Sequence, residues 1–342
     1  MVTERGLQVL RAIVQDYVET HEPVGSRSIV DRYSFGVSAA TIRNDMAQLE
    51  DEELIAAPHT SSGRVPTDKG YRVFVNHLAQ LRPLTVAQRT AIESFLTDPA
   101  DLDDLMARTV RVLTQLTGQV ALAQYPSFAR AHVTHLELVL LAPNRMLIVL
   151  VTDAGGVSQR VTALPEMVDD SDLAVLRARL SALITARAVS EAAERLQALL
   201  DDGSTTDAVL RTLSSVVIDE LGEFRQERLV MAGAATLARR GQDFRGSIHP
   251  LLEAIEEQVT LLRLMSEMEA DAHGLSASIG TENAPFGLGE ASIVASDYAA
   301  PGGTARVGVM GPTRMDYPSN LAAARAVARY LSRMLDEDEA GR

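Results

Sequence analysis

The sequence predicts an α+β fold of several domains, and three patterns along its 342 residues support this prediction. Short amphipathic helical patterns separated by turn residues fill the first 80 residues. Strand-like runs follow, a long helical stretch interrupts them from about residue 165, and strands resume near the C-terminus. We therefore expect an N-terminal winged helix-turn-helix followed by an α/β sheet with a mostly helical insertion.

The first two helices are predicted from apolar spacing and from turn residues. Apolar residues recur at helical spacing from about Glu4 to Glu19, which indicates a core-facing helix with Arg5 on its outer side. A proline and a glycine then break the chain, and Ser26 is placed to cap a second helix of about two turns.

The third helix is predicted to read DNA. Gly36 in the preceding turn can take a positive backbone angle, and Ser38 is placed to cap a helix that reaches about Glu52. Apolar residues at positions i, i+4 and i+7 must face the core, and they are Ile42, Met46 and Leu49. The spacing of these elements is that of a helix-turn-helix.

Polar side chains on the outer face of this helix suit the major groove. Arginine can bond the two acceptors of guanine, and asparagine or glutamine can bond adenine, each contact contributing roughly 1–3 kcal/mol of base discrimination. Alternatively, Arg43 and Gln48 only solvate a surface helix, but the ordered caps, turn and wing favour DNA. The residues predicted to contact DNA from the second and third helices are Ser26, Arg27, Ser38, Ala40, Thr41, Arg43, Asn44 and Gln48.

The segment after the third helix is predicted to form a wing. Leu54 to Ala57 reads as a short strand, and Pro58 to Pro66 reads as a polar hairpin with Gly63 at its tip. A wing lies along the sugar-phosphate backbone or enters the minor groove, while cations on the next helix either touch phosphate or face solvent. The residues predicted to contact DNA from this region are Ser61, Ser62, Gly63, Arg64, Lys69 and Arg72.

The charge balance opposes a purely electrostatic interaction with DNA. Residues 1–80 hold eight Lys or Arg against eleven Asp or Glu, a net charge of −3, and the rest of the chain holds −11 of the total of −14. Non-specific binding should therefore be weak. The acidic run Glu50 to Glu53 would have to point away from a face that gathers the cations. These cations are Arg27, Arg43, Arg64, Lys69 and Arg72.

Further helices and strands are predicted beyond residue 80. After a hinge near residues 82–85, the helices are expected at 85–96, 102–117, 169–186, 190–200, 205–227, 248–269 and 319–335. The strands are expected at 133–142, 145–152, 156–164, 291–298 and 305–310. One apolar stripe on the helix at 169–186 indicates either core or an interface, and it consists of Leu173, Leu176, Leu180, Leu183 and Ile184.

Composition excludes several classes of site. The chain has no cysteine, which rules out disulfides, zinc-thiolate sites and thiol catalysis. Its N-terminus has no signal-like apolar core and its apolar runs are too short to span a bilayer, so we expect a cytoplasmic protein with no membrane contact.

Other constellations indicate neither an enzyme nor a metal or cofactor site. His132 and His135 begin a strand, where residues three apart face opposite ways. Gly287 and Gly289 lack the rest of a dinucleotide fingerprint. Arg314 and the nearby Asp316 form either a structural turn network or part of a pocket for a small effector.

Three segments together resemble the HrcA family of bacterial heat-inducible transcription repressors, and the resemblance extends across nearly the whole chain. The first is EPVGSRSIVDRY with GVSAATIRNDMAQLE, at residues 22–33 and 36–50. The others are PHTSSGRVPTDKGYRVFV at 58–75 and VGVMGPTRMDYPSNLAAARAVARYLSRML at 307–335. Many winged-helix repressors share such a recognition helix, whereas the wing segment together with GPTRMDY is highly specific.

The resemblance implies a domain plan and a mechanism. It implies a winged helix-turn-helix at 1–80, a helical linker at 81–118, a GAF-like domain at 119–164 and 226–342, and an inserted dimerisation domain at 165–225. It moves the apolar stripe of Leu173 to Ile184 toward a dimer seam. A homodimer would bind an inverted-repeat operator of double-stranded DNA before chaperone operons, with activity supported by the GroEL chaperonin.

Two other functions remain open from the sequence. One is a metabolite-gated winged-helix repressor whose GAF-like domain holds a small ligand, which rests on fold analogy. The other is an enzyme with a regulatory head, and no catalytic pattern in the sequence favours it.

Overall fold

The computed structural model describes residues 2–59, 62–78, 81–126, 131–202, 207–224, 228–239, 244, 248–300 and 303–340. These residues form a mixed helix-and-sheet protein, so the predicted α+β class is confirmed. Their strands form sheets of two, five and three strands. The described residues belong to two compact units. The first lies within 1–124, 229–297 and 306–330, and the second lies within 125–228, 298–305 and 331–342.

The N-terminal part of the first unit, residues 2–78, is called the head below. It contains a helix, two helices joined by a turn, a two-stranded hairpin and a further helix. These elements are α1 Glu4–Thr20, α2 Ser26–Arg32, α3 Ala39–Asp51, β1 Ile55–Ala56, β2 Val65–Pro66 and α4 Asp68–Val73, followed by a π-helical turn at Phe74–Leu78.

Caps and turns in the head follow the sequence with one exception. The side chains of Ser38 and Thr67 accept hydrogen bonds from the backbone N–H three residues later, and Gly36 has a φ of 67°. The predicted cap at Ser26 is wrong. Gly25 occupies the N-cap of α2 without a side-chain hydrogen bond, and Ser26 is the first helical residue, because the chain enters the helix one residue earlier.

Helices and strands alternate in blocks beyond the head. The helices are α5 Val86–Leu96, α6 Leu102–Thr117, α7 Asp170–Ile184, α8 Val189–Asp201, α9 Ala208–Glu223, α10 Ala234–Arg239, α11 His249–Glu257, α12 Val259–Glu267 and α13 Tyr317–Ala340. The strands are β3 Val120–Gln124, β4 Val133–Ala142, β5 Arg145–Thr152, β6 Val157–Ala163, β7 Leu229–Ala232, β8 Leu275–Ile279, β9 Ala291–Ala300 and β10 Gly303–Pro312, with a 3-10 helix at Gly280–Phe286.

A five-stranded sheet carries the core of the rest of the first unit. Its order is β7-β3-β10-β9-β8, and β3 is antiparallel to both β10 and β7. Buried side chains of these strands, such as Val120, Ile293 and Met310, pack with Leu261 and Leu264 of α12. The single helix predicted at 248–269 is instead α11 and α12, because Gln258 takes a φ of 54° that ends the first helix.

Helix α6 belongs to this sheet rather than to a linker. It packs against β3 and β7, and its apolar side, including Leu105, Met106 and Leu113, is buried. The Thr114 hydroxyl donates to the carbonyl of Ala232 on β7 at 3.1 Å. The segment 81–118 is helical as expected, and the apolar side of α6 is covered by the five-stranded sheet.

The second unit is a three-stranded antiparallel sheet covered by helices. Its order is β4-β5-β6, and side chains of its inner face, such as Leu136, Ile148 and Leu150, pack into one cluster with apolar residues of α7, α8 and α9. The sequence placed the strands at 133–164 in one sheet with those near the C-terminus. The structure groups them with the helices at 170–223 instead, because the inner face of the sheet and the stripe on α7 bury each other.

The apolar stripe of α7 is core of the single chain, which corrects the dimer seam expected there. Leu176, Leu180 and Ile184 are at most 5% exposed, and Leu173 and Leu183 pack partly buried against the same cluster. Leu176, Leu180 and Ile184 are therefore covered by their own chain and offer no surface to a second one.

Within the described ranges, no helix combines the length and the apolar character that a bilayer span requires.

Truncation of the stripe tests this placement. Leu180→Ala should lower the free energy of unfolding by about 2–5 kcal/mol, because it leaves a cavity in a closed core. Val175→Ala is the matched control on the same helix, and since Val175 is 58% exposed the change should stay within about 0.5 kcal/mol. Urea unfolding followed by circular dichroism at one protein concentration measures both. Equal, small changes would place the stripe at the surface.

Candidate nucleic-acid interface

Helix α3 presents two distinct faces. Ile42 and Leu49 are fully buried and Met46 is nearly so, as the spacing predicts. Arg43 and Gln48 are exposed on the opposite side. Asn44 and Ala40 are exposed as well, whereas Thr41 is half-buried. The outer face thus offers a guanidinium that donates hydrogen bonds and two amides that can both donate and accept them.

The first turn of α3 is closed by its own hydroxyls. Ser38 Oγ accepts from the Thr41 backbone N–H at 3.2 Å and lies 3.1 Å from Thr41 Oγ1. These two residues therefore fix the start of α3, and Arg43, Asn44 and Gln48 carry its exposed hydrogen-bonding side chains.

A buried ion pair fixes α3 on α1. Arg5 donates from Nε to Asp45 at 2.7 Å and from Nη2 to its other oxygen at 3.0 Å, and Asp45 is 3% exposed. The Asp45 carboxylate also raises the pKa of Arg5, through the hydrogen bond first. The sequence reading left Arg5 on the outer side of α1 and missed this contact. An aspartate on the apolar side of α3, three residues after Ile42, was the available signal that a cation lies opposite.

A second carboxylate contact fixes α2. The Tyr33 hydroxyl donates to buried Asp16 of α1 at 2.9 Å, and Arg32 lies 3.2 Å from the other Asp16 oxygen. Burial first, and then the hydrogen bond to Asp16, raise the pKa of Tyr33 to about 12. The phenol therefore stays protonated and donates at all physiological pH values. Both helices of the helix-turn-helix are thus tied to α1 through charged groups.

The hairpin after α3 is held against the start of α2. Val24 and Arg64 exchange two backbone hydrogen bonds of 2.9 Å, and a Cβ on Gly63 would come within 2.6 Å of the Val24 backbone. Gly63 was expected at the hairpin tip; it lies at the paired base instead, because this close approach leaves no room for a side chain. The Ser62 hydroxyl donates to the carbonyl of His59 at 2.7 Å and so closes the turn. Ser61 lies outside the described residues.

Two of the side chains predicted to contact phosphate, those of Arg64 and Lys69, are engaged within the chain. Arg64 pairs with Glu50 at 2.8 Å and also donates to the Ser62 carbonyl. Lys69 donates from Nζ to the Glu52 carbonyl at 2.9 Å. The acidic run at the end of α3 therefore does not point away from these two cations, which corrects that expectation. Cations this close to carboxylates are partly neutralised before any DNA arrives.

Arg72 is directed toward the five-stranded sheet. It donates from Nε to Glu282 at 2.7 Å and from Nη2 to the carbonyl of Ala277 at 2.8 Å, and it pairs with Glu282 a second time. Asp68, one helical turn earlier, accepts from the Thr281 backbone N–H at 2.8 Å. Helix α4 therefore serves as an attachment to the sheet, and the expected phosphate contact of Arg72 does not fit this arrangement.

Two cations of the predicted set remain available. Arg27 at the start of α2 and Arg43 on α3 are exposed, and neither forms an ion pair with any residue that the structure describes. Ser26 is half-buried beside Arg27. The outer surface of α3, the start of α2 and the hairpin turn are therefore the parts of the head that can meet a polyanion.

Comparison with known proteins places the whole chain in one group. The family model described as HrcA protein C-terminal domain matches residues 103–320. The heat-inducible transcription repressor HrcA of Clavibacter michiganensis subsp. michiganensis is 62% identical, covering 98% of this chain and 100% of that protein. Its counterpart of the same name in Leifsonia xyli subsp. xyli is 58% identical, with coverage of 98% and 100%.

Likeness to a solved structure supports the fold. A crystal structure of a hypothetical protein superposes with a TM-score of 0.66 at 24% identity, covering 98% of this chain and 99% of that chain. At this identity the likeness concerns the arrangement of helices and strands alone.

Removal of one partner from the buried ion pair tests how α3 is held. Arg5→Gln should lower the free energy of unfolding, because the Asp45 carboxylate stays buried without its cation, and the loss is moderated because Arg5 itself is partly solvated. Arg43→Gln is the matched control, since it removes the same charge from the exposed face, and should change stability by less than about 0.5 kcal/mol. Thermal unfolding of both variants measures the difference. An unchanged Arg5→Gln variant would mean that the pair does not anchor α3.

Proposed function

The chain belongs to the HrcA family of heat-inducible transcription repressors, and from that premise we propose that it binds an inverted-repeat DNA operator as a homodimer. In this proposal the head is a winged helix-turn-helix, α3 is its recognition helix and the β1–β2 hairpin is its wing. The five-stranded sheet with its helices is the GAF-like domain, and the second unit is the dimerisation domain.

The observation that carries the proposal is the outer face of α3. Arg43, Asn44 and Gln48 are exposed on a helix whose opposite face is locked to α1 by buried side chains and by the Arg5–Asp45 pair. A helix held this firmly presents its side chains in one orientation, which base reading requires. Their chemistry suits guanine and adenine edges in the major groove.

Backbone contacts in this proposal come from few cations. Arg27 at the start of α2 and the wing turn at His59 and Ser62 face the phosphates, while Arg64 and Lys69 are partly neutralised by carboxylates. Affinity for arbitrary DNA then stays low and depends weakly on salt, so that base contacts decide where the protein binds.

The dimer is proposed to form through the outer face of the three-stranded sheet. Val139, Leu147 and Val161 stand opposite one another across β4, β5 and β6, and Val151 pairs with Val157 in a second row. Val139, Val157 and Val161 are 41%, 63% and 47% exposed. An apolar sheet face that its own chain leaves open fits a second copy of itself, because a twofold contact places the same patch on both sides.

Heat control follows from the family rather than from the geometry. We propose that the GroEL chaperonin supports the active repressor, so that unfolded clients produced by heat compete for the chaperonin and chaperone operons are released. The inverted repeat is proposed because a twofold dimer presents two recognition helices to two half-sites.

Loss of the Arg43 guanidinium tests base reading. Arg43→Ala should cost about 1–3 kcal/mol per half-site on an inverted-repeat duplex and should reduce the preference over a scrambled duplex, because one bidentate base contact is lost. Fluorescence anisotropy on both duplexes at the same salt concentration measures this. Arg329→Ala, an exposed arginine on α13, is the charge-matched control and should keep the preference. Equal losses on both duplexes would make Arg43 a phosphate contact.

Charges on the sheet face test the dimer. The double variant Val139→Glu with Val161→Glu should convert the dimer into a monomer, because four carboxylates would be buried in the paired faces. Val175→Glu, at an exposed position of α7, is the control and should remain dimeric. Size-exclusion chromatography with light scattering gives the mass of each variant. A dimer that survives the double substitution would place the interface elsewhere.

A further inference from the structure

Glu50 lies on the same side of α3 as Arg43. The two residues are seven positions apart, which is almost two full turns of an α-helix, so Glu50 follows Arg43 about 10 Å further along the axis. Glu50 is half-buried, whereas the next residue, Asp51, is exposed. A carboxylate therefore lies at the far end of the surface that is proposed to read bases.

The Arg64 guanidinium is held by this carboxylate and by the hairpin turn. Its Nε and Nη2 donate to the same Glu50 oxygen at 2.9 and 2.8 Å, and its Nη1 donates to the Ser62 carbonyl at 3.2 Å. All three nitrogens of the guanidinium thus donate within the chain. The Arg64 side chain is 28% exposed, and a phosphate that approached it would be repelled by the Glu50 carboxylate beside it.

The Arg64 backbone connects the same residue to the start of α2. Its N–H and its carbonyl exchange hydrogen bonds of 2.9 Å with Val24, the residue before the N-cap of that helix. Arg64 therefore joins three parts of the head. It holds the hairpin turn through Ser62, the start of α2 through Val24 and the end of α3 through Glu50.

The neighbouring cation contact is looser. Lys69 donates to the Glu52 carbonyl, and its ion pair with Glu53 is 3.8 Å long between side chains that are 56% and 83% exposed. A flexible ammonium between exposed groups contributes little to a fixed geometry. The planar guanidinium of Arg64, held at three nitrogens, has one orientation. The Glu50–Arg64 pair is thus the better suited of the two contacts to fix the hairpin.

We propose that Glu50 is a positioning residue for operator selection. Through Arg64 it fixes the hairpin relative to the outer face of α3, and it keeps the Arg64 cation from binding phosphate. This inference rests on the proposed DNA-binding function and adds a residue that determines selectivity without contacting a base. With the pair intact, the hairpin turn reaches the DNA backbone only where α3 is in register with the bases. Without Glu50, the hairpin moves independently and Arg64 binds any phosphate.

A direct phosphate contact by Arg64 is the competing role, and the two roles predict different variants. If Arg64 contacts phosphate, Glu50 matters little, and loss of Arg64 lowers the salt dependence with or without Glu50. If the pair positions the hairpin, loss of Glu50 alone raises the salt dependence. Loss of both side chains then removes the charge effect but still leaves the hairpin without its contact to α3.

Fluorescence anisotropy of the full chain on an inverted-repeat duplex and a scrambled duplex, over a salt series, separates these roles. Glu50→Ala should bind the scrambled duplex at least about threefold more tightly, and should steepen the slope of log affinity against log salt by about 0.9 per head bound. Glu50→Ala combined with Arg64→Gln should return to the parent slope, because both charges are gone. The double variant should nevertheless prefer the inverted repeat at least about fivefold less than the parent chain, because its hairpin is not positioned.

Asp51→Ala is the matched control. It removes an exposed carboxylate from the next position of α3 without releasing a paired cation, so it should keep the slope and the preference of the parent chain. Thermal unfolding establishes that each variant is folded, and Glu50→Gln, which keeps the size of the side chain, replaces Glu50→Ala if that variant does not fold.

Three results would overturn the role of Glu50. They are a Glu50→Ala variant that behaves like Asp51→Ala, a double variant that keeps the parent preference, and a double variant whose slope falls below that of the parent chain. The last result would make Arg64 a phosphate contact. A parent chain that binds both duplexes equally would instead contradict the proposed function itself, and with it any role of Glu50 in selectivity.

Discussion

Helix α1 holds the head together, and it does so through charge as well as apolar burial. Its Val9, Leu10 and Ile13 are fully buried, Asp16 accepts from Tyr33 of the turn after α2, and Arg5 pairs with Asp45 of α3. A buried carboxylate that loses its partner costs several kcal/mol, so α2 and α3 cannot shift along α1 without breaking these contacts. The outer face of α3 is therefore presented in one orientation, and a surface that reads bases needs that fixed presentation.

Several cationic side chains of the head form hydrogen bonds and ion pairs within the protein. Arg72 and Asp68 attach α4 to the segment at 277–282, and Tyr71 packs on Tyr317 with ring centroids 5.6 Å apart. Arg64 is taken by Glu50 at the far end of α3. With these cations engaged, a head of net charge −3 attracts phosphate only weakly. In the proposed function, the hydrogen bonds of α3 to base edges therefore account for a larger share of the selectivity.

Sequence patterns predicted the caps, turns and helix faces that depend on neighbouring residues. They did not predict contacts between residues far apart in the sequence. The cap at Ser38, the turn at Gly36 and the inward row of α3 depend on residues within one or two helical turns, so spacing alone found them. Arg72 meets Glu282 across 210 positions. Short strands such as β3 and β7 depend on pairing with strands far away in the sequence, β3 with both β7 and β10, and no periodicity marks them. The stripe through Leu180 was identifiable as apolar, but only the sheet packed on it decided between core and interface. The sequence showed that Gly63 lies in a hairpin. Its close approach to Val24 is a contact between residues far apart in the sequence, which no local pattern indicates.

The proposal that α3 reads an operator is tested by fluorescence anisotropy of the full chain on two duplexes. One duplex is an inverted repeat from a chaperone promoter, and the other is a scrambled duplex of the same composition. The measurement is made over a salt series, with and without the GroEL chaperonin. If α3 reads the operator, the protein binds the inverted repeat more tightly at every salt concentration, and this preference persists as salt rises because base contacts carry it. Binding is stronger still in the presence of chaperonin. Equal binding to both duplexes, with and without chaperonin, would contradict the claim that the outer face of α3 reads an operator.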